Sequence, residues 1–556
     1  MPHSTLPHPG FQAIVLCGPG ASLDTFTSSP KDFPKALLPI ANRPMVWYPL
    51  DWCYRMGITN ITLITPPESA HAIETALATN PHLTSLPAPK PEVLAPEGLT
   101  QTTGTGEIFK LDEVAKIIQE DFVVLPCDLI CEVEGAAFLQ TWMTLQGGLG
   151  GSSYNRPALG GEKSGRRGGL AVYYPTKGIE GVSTKAEQTD LIATVALPKS
   201  EPAPPTGNLK AHVSKLVMSV PKSTVKDILE EKGALPIRHT LLKKYGRVDM
   251  KTSWRDAHIY FFPKWVLEMM KTNDFDSIAE DVIGWWAKAG WQEGLGDKLG
   301  LRGVLGENEG SDGEDGMVAS GNLEDEVDLQ GMSSTSVRSV PKKHESEVAS
   351  RVPAAVKQAL HQTPLTVPPI LSYVQPSWTA QPEQPLIRRV DTTALLLSIS
   401  LRLAKLPSTA EATAPSPFSH PAKVAHPDMM QKQSRVSEAD SLVAENVSIE
   451  SRVNIKESVI GAGCTIGSGS RLTRCLLMDN VVVGEGVTLT GCILGRRAKV
   501  EAGSRLTECE VQPGFVVEGG TESKSEKFMA FEGLDEDAAM DVEDGEGDDG
   551  GFDIGS

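Results

Sequence analysis

The amino-acid sequence predicts an α/β sheet domain followed by a left-handed parallel β-helix of hexapeptide repeats. Two features of this 556-residue chain predict that architecture. Short aliphatic runs alternate with helix-like segments through roughly the first 300 residues, a pattern typical of a parallel sheet with helices on its faces. Further along, aliphatic residues recur about every six positions, which is typical of a solenoid.

The first domain opens with a strand, a loop and a helix. Residues 13–16 form an aliphatic run suited to a strand buried on both faces, and Gly18-Pro19-Gly20 ends it. A helix over 45–56 is expected to stop at Gly57, because glycine readily adopts the left-handed conformation of a C-cap. The alternation predicts a Rossmann-like sheet. Further strands are predicted at 61–64, 122–125 and 258–262, and further helices at 111–118, 265–270 and 395–403.

The repeat comprises fourteen aliphatic positions arranged in triplets that begin every 17 residues. Three short strands close one triangular coil, and stacked coils bury their side chains only against their neighbours. The fourteen predicted core positions are Val443, Ile449, Ile455, Ile460, Ile466, Leu472, Leu477, Val483, Leu489, Leu494, Val500, Leu506, Val511 and Val517.

Three cysteines follow the same 17-residue period: Cys475, Cys492 and Cys509. A ladder of thiols could bind a metal ion, but no histidine and no Cys-x-x-Cys motif accompanies it. Small residues that fill one equivalent position in each coil are the favoured interpretation.

The formal charge of −19 is confined to two segments. Residues 307–328 carry nine acids and residues 532–549 carry ten, with no base in either, so the remainder balances at 52 acids against 52 bases. A neutral remainder argues against direct nucleic-acid binding. The sequence also shows no membrane span and no secretory signal, so the eight cysteines are expected to be reduced thiols in the cytosol.

Composition and periodicity together predict a domain order. It runs as a disordered N-terminus (1–10), the sheet domain (11–300), a disordered acidic insertion (301–361), the final segment of the sheet domain (362–405), a linker (406–431), the β-helix (432–522) and an acidic tail (523–556).

The loop after the first strand carries a family resemblance. Gly18-Pro19-Gly20 followed by Pro34-Lys35-Ala36-Leu37-Leu38-Pro39 resembles the signature of sugar-1-phosphate nucleotidyltransferases. The resemblance implies that Gly18, Gly20 and Lys35 correspond to nucleotide phosphate contacts. It likewise implies that Gly104 and Thr105 lie near the base and sugar, and that Asp128 corresponds to the aspartate that binds magnesium. Ser22 stands where the family has an arginine, and Pro19 offers no N–H, so the site is expected to be vestigial.

A more specific resemblance extends over both ordered domains. Residues 45–50, 124–130, 256–260 and 475–478 are similar to the gamma subunits of eukaryotic translation initiation factor two B. This resemblance implies a non-catalytic regulatory or scaffold subunit that supports guanine-nucleotide exchange on initiation factor two. The implied partners are the epsilon subunit and the alpha, beta and delta subunits, and no cofactor is expected. About thirty-five mostly acidic residues follow the repeat, too few for the exchange domain of epsilon. The resemblance therefore favours a gamma subunit over an epsilon subunit.

Two alternative functions and one set of contact residues complete the expectations. The sheet domain could instead be an active, mannose-1-phosphate guanylyltransferase-like enzyme that forms a nucleotide-sugar. A hexapeptide acyltransferase is disfavoured because residues 443–517 contain no histidine base. If the solenoid serves as a docking element, Ile466, Val483 and Val500 are the predicted interface residues.

Overall fold

The structure is a computed structural model that describes residues 10–18, 23–100, 102–146, 167–182, 187–197, 208–305, 365–380, 384–412, 415–427 and 430–530. The chain divides into two compact units. The first comprises Met1–Arg402 with Thr413–Ser419, and the second comprises Leu403–Ala412 with His420–Ser556. Residues 306–361 of the predicted acidic insertion and 531–556 of the predicted acidic tail lie outside the described residues, whereas 301–305 and 523–530 are described and form helix and strand, not disordered chain.

The first unit contains a nine-stranded mixed sheet and two small strand pairs. The strands are β1 (Phe11–Leu16), β2 (Pro39–Ile40), β3 (Arg43–Pro44), β4 (Ile61–Ile64), β5 (Glu92–Leu94), β6 (Asp121–Pro126), β7 (Leu129–Cys131), β8 (Gly169–Pro175), β9 (Asp190–Ala196), β10 (Val213–Pro221), β11 (Asp249–Phe262), β12 (Ile370–Val374) and β13 (Ile387–Arg389).

The large sheet has the order β5-β4-β1-β6-β11-β8-β12-β10-β9. Its β5-β4-β1-β6 half is parallel, as the sequence predicts. Strand β11, however, runs antiparallel to both β6 and β8, so the sheet is mixed and not uniformly parallel. The aliphatic run at 258–262 identifies a buried strand, but hydropathy carries no information about its direction.

Helices occur in both the N-terminal and the C-terminal parts of the first unit. They are α1 (Asp24–Thr27), α2 (Trp47–Met56), α3 (Pro67–Thr79), α4 (Pro81–Thr84), α5 (Asp112–Ile117), α6 (Gly135–Gln146), α7 (Lys222–Lys232), α8 (His239–Tyr245), α9 (Trp265–Thr272), α10 (Ile283–Ala289), α11 (Leu295–Lys298), α12 (Leu301–Val304) and α13 (Thr393–Ala404). A π-helical turn, Ile278–Val282, precedes α10. Helix α2 ends at Gly57 with φ 85°, which confirms the predicted C-cap.

The second unit is a solenoid of stacked coils, as predicted. From β15 onward, the strands of successive coils pair in parallel at a spacing of 17 residues, as Ile449 does with Ile466, whereas β14 pairs with β17 at a spacing of 19. All fourteen predicted core positions are buried, none more than 4% exposed. The strands are β14 (Arg435–Val436), β15 (Leu442–Val443), β16 (Ser448–Ile449), β17 (Asn454–Lys456), β18 (Val459–Ile460), β19 (Thr465–Ile466), β20 (Arg471–Thr473), β21 (Leu476–Leu477), β22 (Val482–Val483), β23 (Thr488–Thr490), β24 (Ile493–Leu494), β25 (Lys499–Val500), β26 (Arg505–Thr507), β27 (Glu510–Val511), β28 (Val516–Val517), β29 (Glu522–Lys524) and β30 (Lys527–Phe528).

The predicted linker, 406–431, contributes to both units. Arg43 Nη1 and Nη2 donate to the carbonyls of Phe418 and Ser419 at 2.9 Å each, which ties this stretch to the first unit. Further on, Val424 forms a bridge with Val443 of the solenoid. The coils also continue past the predicted boundary at 522, through β30. Because this stretch is rich in Pro, Ala and Ser, its composition predicts a linker and does not identify single buried residues such as Phe418.

The cysteine ladder lies inside the solenoid. Cys475, Cys492 and Cys509 are all buried free thiols. The column continues with serines, since the Ser458 hydroxyl accepts a hydrogen bond from the Cys475 N–H at 3.2 Å. Across the described residues, no group of three or more His, Cys, Asp or Glu side chains could hold a metal ion. Small residues at one position of each coil account for the ladder.

Within the described ranges, no helix has the length and apolar character needed to cross a membrane.

Candidate functional site

The candidate site centres on Asp128, in the turn between β6 and β7. The Lys35 ammonium donates to Asp128 Oδ2 at 2.7 Å, and Arg389 Nε donates to Oδ1 at 3.3 Å. The Asp128 side chain is only 1% exposed, against 11% for Lys35 and 15% for Arg389. Both carboxylate oxygens are therefore bound by cations of the chain itself.

These contacts fix the charge states of the three groups. Burial alone would raise the pKa of Asp128, but Lys35 and Arg389 outweigh burial and hold that pKa well below its usual range. For Lys35 burial favours the neutral amine, yet the Asp128 carboxylate more than compensates and raises the pKa. Asp128 and Lys35 thus form a charged pair at neutral pH.

Further buried ion pairs connect to Arg389, whose Nη2 lies 3.9 Å from Asp391 Oδ2. The Arg255 guanidinium makes two bonds to Asp391, Nη1 to Oδ1 at 3.1 Å and Nη2 to Oδ2 at 2.5 Å. Arg388 Nη1 donates to Glu187 Oε1 at 3.2 Å, and the two side chains are 0% and 1% exposed. Arg255 also lies 3.9 Å from Glu187, which links the two pairs. Charged side chains are stable in a protein interior only when each one has a partner of opposite charge.

An irregularity in β11 places one more carboxyl beside this network. The register of β11 against β8 shifts between Asp256 and Tyr260, and His258 inside the shift has φ 53°. Asp256 Oδ1 accepts from the His258 N–H at 2.8 Å, and Oδ2 accepts from the Tyr260 hydroxyl at 2.5 Å. Asp190 Oδ2 in turn accepts from the Asp256 N–H at 2.7 Å.

Asp256 is expected to make stability depend on pH. Burial, followed by repulsion from Asp190, raises the pKa of Asp256 to about 7. An unfolded aspartate titrates near pH ~4, so between pH ~4 and about 7 the folded chain binds a proton that the unfolded chain lacks. Stability from this group is complete below pH ~4 and is lost as pH rises toward 7, by on the order of 1–4 kcal/mol.

Asp256→Asn is expected to flatten that dependence, because its amide carries no charge at either end of the range. The measurement is the urea midpoint of tryptophan fluorescence at pH 5.5 and 7.5. Asp249→Asn, at an exposed position of the same strand, is the matched control. An unchanged pH slope in Asp256→Asn would contradict the assignment.

The structure separates the predicted site residues into two groups. Lys35 and Asp128 are brought together, whereas Gly104 and Thr105 contact Asp276 and Ile278, at the start of the π-helical turn. A Cβ on Gly104 would lie 1.7 Å from Asp276 Oδ1, and the Thr105 hydroxyl accepts from the Ile278 N–H at 3.1 Å. The glycine at 104 is thus required by close packing between two chain segments.

The remaining predicted residues lie elsewhere. Gly18 is exposed just after β1, and Gly20 lies outside the described residues, as does Ser22. Ile466, Val483 and Val500 are 0%, 1% and 0% exposed inside the solenoid. Direct contact with a partner cannot come from these three side chains, so an interface role for them stays a prediction that the geometry does not support.

Sequence reasoning missed most of the ion-pair network. Arg255, Arg388, Arg389, Asp391 and Glu187 belong to no recognised motif, and they meet Asp128 or one another only through the fold. One local signal existed. Arg388-Arg389-Val390-Asp391 places two consecutive arginines directly before the apolar helix α13, where buried cations are unusual.

The Asp128 environment does not fit a magnesium ion. Magnesium needs free oxygen ligands in near-octahedral geometry, commonly from one or two carboxylates together with water and substrate phosphates. Here the one predicted carboxylate is paired through both oxygens with Lys35 and Arg389. No step through a metal is therefore derived for this site.

Comparison with known proteins agrees with this two-unit architecture. Residues 14–151 match the nucleotidyl transferase family, and residues 424–522 match the family described as the eIF2B subunit epsilon LbH domain. The chain is 26% identical over 313 residues to the translation initiation factor eIF2B subunit gamma of Schizosaccharomyces pombe. This chain resembles an eIF2B gamma subunit.

That similarity confirms the predicted resemblance and the predicted fold class. The aligned residues make up 56% of this chain and 58% of the yeast gamma subunit, so the chain spans less than two thirds of that relative's length. The family assigned to the solenoid is named after epsilon, whereas the relative found along the chain is a gamma subunit.

Proposed function

We propose that this chain is a non-catalytic regulatory and scaffold subunit of a cytosolic complex that exchanges GDP for GTP on translation initiation factor two. Its direct partner would be an epsilon-type subunit, and alpha-, beta- and delta-type subunits would complete the complex. The similarity to an eIF2B gamma subunit and the eIF2B-type solenoid support this role.

The observation that carries the non-catalytic part is the pairing of Asp128. A nucleotidyltransferase needs this carboxylate to hold the metal that neutralises developing phosphate charge. Lys35 and Arg389 occupy both of its oxygens, and Lys35 is the same residue that the family uses for phosphate. Two groups that would serve a nucleotide instead neutralise each other, which favours a domain used for assembly.

The solenoid offers an outer face suited to assembly. Along one of its sheets the outward positions are Ser448, Thr465, Val482, Lys499 and Val516. Val482 is 39% exposed and Val516 is 50% exposed, on either side of Lys499. These exposed valines, and not the buried core positions, are apolar side chains that a partner could contact.

A mannose-1-phosphate guanylyltransferase-like enzyme is the second candidate, favoured by the family match over residues 14–151. The deciding experiment is native mass spectrometry of the affinity-tagged chain purified from its own cells, followed by two assays on the same sample. We expect a hetero-oligomer with four other subunit types that releases GDP from initiation factor two. A homo-oligomer that releases pyrophosphate from a sugar 1-phosphate and a nucleoside triphosphate would overturn the proposal.

A further inference from the structure

The segment around α7 and α8 has a charge opposite to that of the whole chain. Residues 208–251 carry ten Lys or Arg against four Asp or Glu, in a protein of net charge −19. Such a local excess creates a positive field that attracts anionic groups to that surface.

Four cations of this region and of α10 interact in pairs or pack against the same elements, and Lys243 adjoins one of them in sequence. Lys215 and Lys244 repel each other, and their ammonium groups lie 5.5 and 6.0 Å from the ring of Tyr245. Lys244 Nζ also donates to the Gly290 carbonyl, just after α10, at 3.4 Å. On α10 itself, Lys288 lies close enough to Arg238 for the two charges to interact. Together with Lys243 on α8, these residues are called the basic surface: Lys215, Arg238, Lys243, Lys244 and Lys288.

The cations of the basic surface repel one another, and nearby carboxylates compensate for this repulsion only in part. Burial, followed by repulsion from Lys244, lowers the pKa of Lys215 to about 8. Burial and then Arg238 lower the pKa of Lys288, although Glu280 and Asp281 partly oppose this. In the part of the chain that the structure describes, no salt bridge reaches any residue of the basic surface. An anionic partner would relieve this repulsion.

Large apolar side chains are exposed among these cations. Ile237 is 42% exposed beside Arg238, Leu242 is 44% exposed beside Lys243, and Trp285 is 39% exposed under the Lys288 ammonium at 4.6 Å. Single exposed apolar residues need no explanation, but apolar residues interleaved with cations are typical of a protein interaction surface.

The composition of this surface identifies the kind of partner. Nucleic acid would use cations and stacking aromatics but would gain little from Ile237 and Leu242. The chain has two acidic segments of its own: 307–328 has nine acids with Met317 and Leu323, and 532–549 has ten acids with Leu534 and Met540. Deletion of each segment is therefore an arm of the test. A ligand that satisfies both features combines carboxylates with large apolar side chains.

We propose that the basic surface, with Ile237, Leu242 and Trp285, docks an acidic polypeptide segment of another protein that carries large apolar side chains. The carboxylates pair with the lysines, and the apolar side chains cover the exposed leucine, isoleucine and indole. This docking is independent of the exchange-factor role proposed above, since it rests on the surface alone.

The test uses the full chain and a fluorescein-labelled peptide of alternating Glu/Asp and Leu/Phe. A second peptide keeps the acids but has serine in place of every apolar residue, and a single-stranded RNA of equal charge is the third probe. Lys243→Glu/Lys244→Glu reverses two exposed charges on α8. The matched control is Lys31→Glu/Lys298→Glu, which changes net charge equally at exposed positions outside the surface.

We expect the Leu/Phe peptide to bind the parent chain at least about tenfold more tightly than the serine peptide or the RNA. The α8 variant should weaken this binding by about tenfold or more, and the control by less than about twofold. Leu242→Ser should weaken binding of the apolar peptide only. Equal affinity for both peptides, preference for RNA, or equal loss in the control would overturn the proposal. So would a tenfold gain in peptide affinity on deletion of 307–328 or of 532–549, because the surface would then be occupied by the chain's own acidic segment.

Discussion

Asp128→Asn is expected to destabilise the first unit by about 3–5 kcal/mol, because it leaves the buried Lys35 and Arg389 charges without their shared partner. An asparagine can still accept one hydrogen bond, but it cannot offset two cations. The resemblance to nucleotidyltransferases implies a metal ligand at this position, which would predict little effect on folding. The two interpretations therefore differ in stability as well as in activity.

Tryptophan fluorescence measures this effect selectively. All nine tryptophans precede residue 379, so their signal in urea reports the first unit and not the solenoid. The matched control is Asp51→Asn, which removes a more exposed pair with Arg55 on α2 and should cost about 0–1 kcal/mol. Lys35→Met should cost less than Asp128→Asn, because Asp128 keeps Arg389. An Asp128→Asn variant as stable as the parent, with reduced magnesium-dependent nucleotide binding, would return Asp128 to a metal role.

The difference between the two units shows what a single sequence can predict. The solenoid was predictable in detail because, from β15 onward, its strand pairings join residues 17 positions apart, and the five triplets repeat this spacing four times. Local signals also sufficed for β1, β4, β6 and the end of α2. Each depends on a contiguous run of residues.

The candidate site was less predictable because its contacts are distant in sequence. Lys35 and Asp128 are separated by 93 residues, and Arg389 and Asp128 by 261. Motif resemblance singled out Lys35 as a vestigial phosphate contact and Asp128 as a vestigial metal ligand, whereas the structure pairs the two with each other. Arg389, the second cation that pairs with Asp128, lies on β13. No periodicity in the sequence predicts that β13 pairs with β7.

Ile466→Asp is expected to unfold neighbouring coils of the solenoid. Ile466 is fully buried between Ile449 and Val483, its partners in the adjacent coils, so an aspartate there would lose its hydration without gaining a counter-ion. Burying such a charge costs several kcal/mol. Since each coil is stabilised mainly by its neighbours, the damage should spread to both sides.

Hydrogen exchange measured by mass spectrometry locates this damage. Amides of residues 443–517 should lose protection in Ile466→Asp, and more so with Val500→Asp added, while the tryptophan transition of the first unit stays unchanged. Thr465→Asp is the matched control, since Thr465 is exposed on the same strand and its substitution adds the same charge outside the core. Retained protection in Ile466→Asp would contradict the assignment of this side chain to the core.

The same comparison decides how a loss of partner binding should be interpreted. If Ile466→Asp abolishes binding of an epsilon-type subunit, coil unfolding explains the loss, because the side chain faces the interior. Val482→Asp places the charge at a 39% exposed outward position one coil further on, where folding should survive. Lost binding with intact amide protection in Val482→Asp would assign docking to the outer face. Intact binding in that variant would move the docking surface to another side of the solenoid.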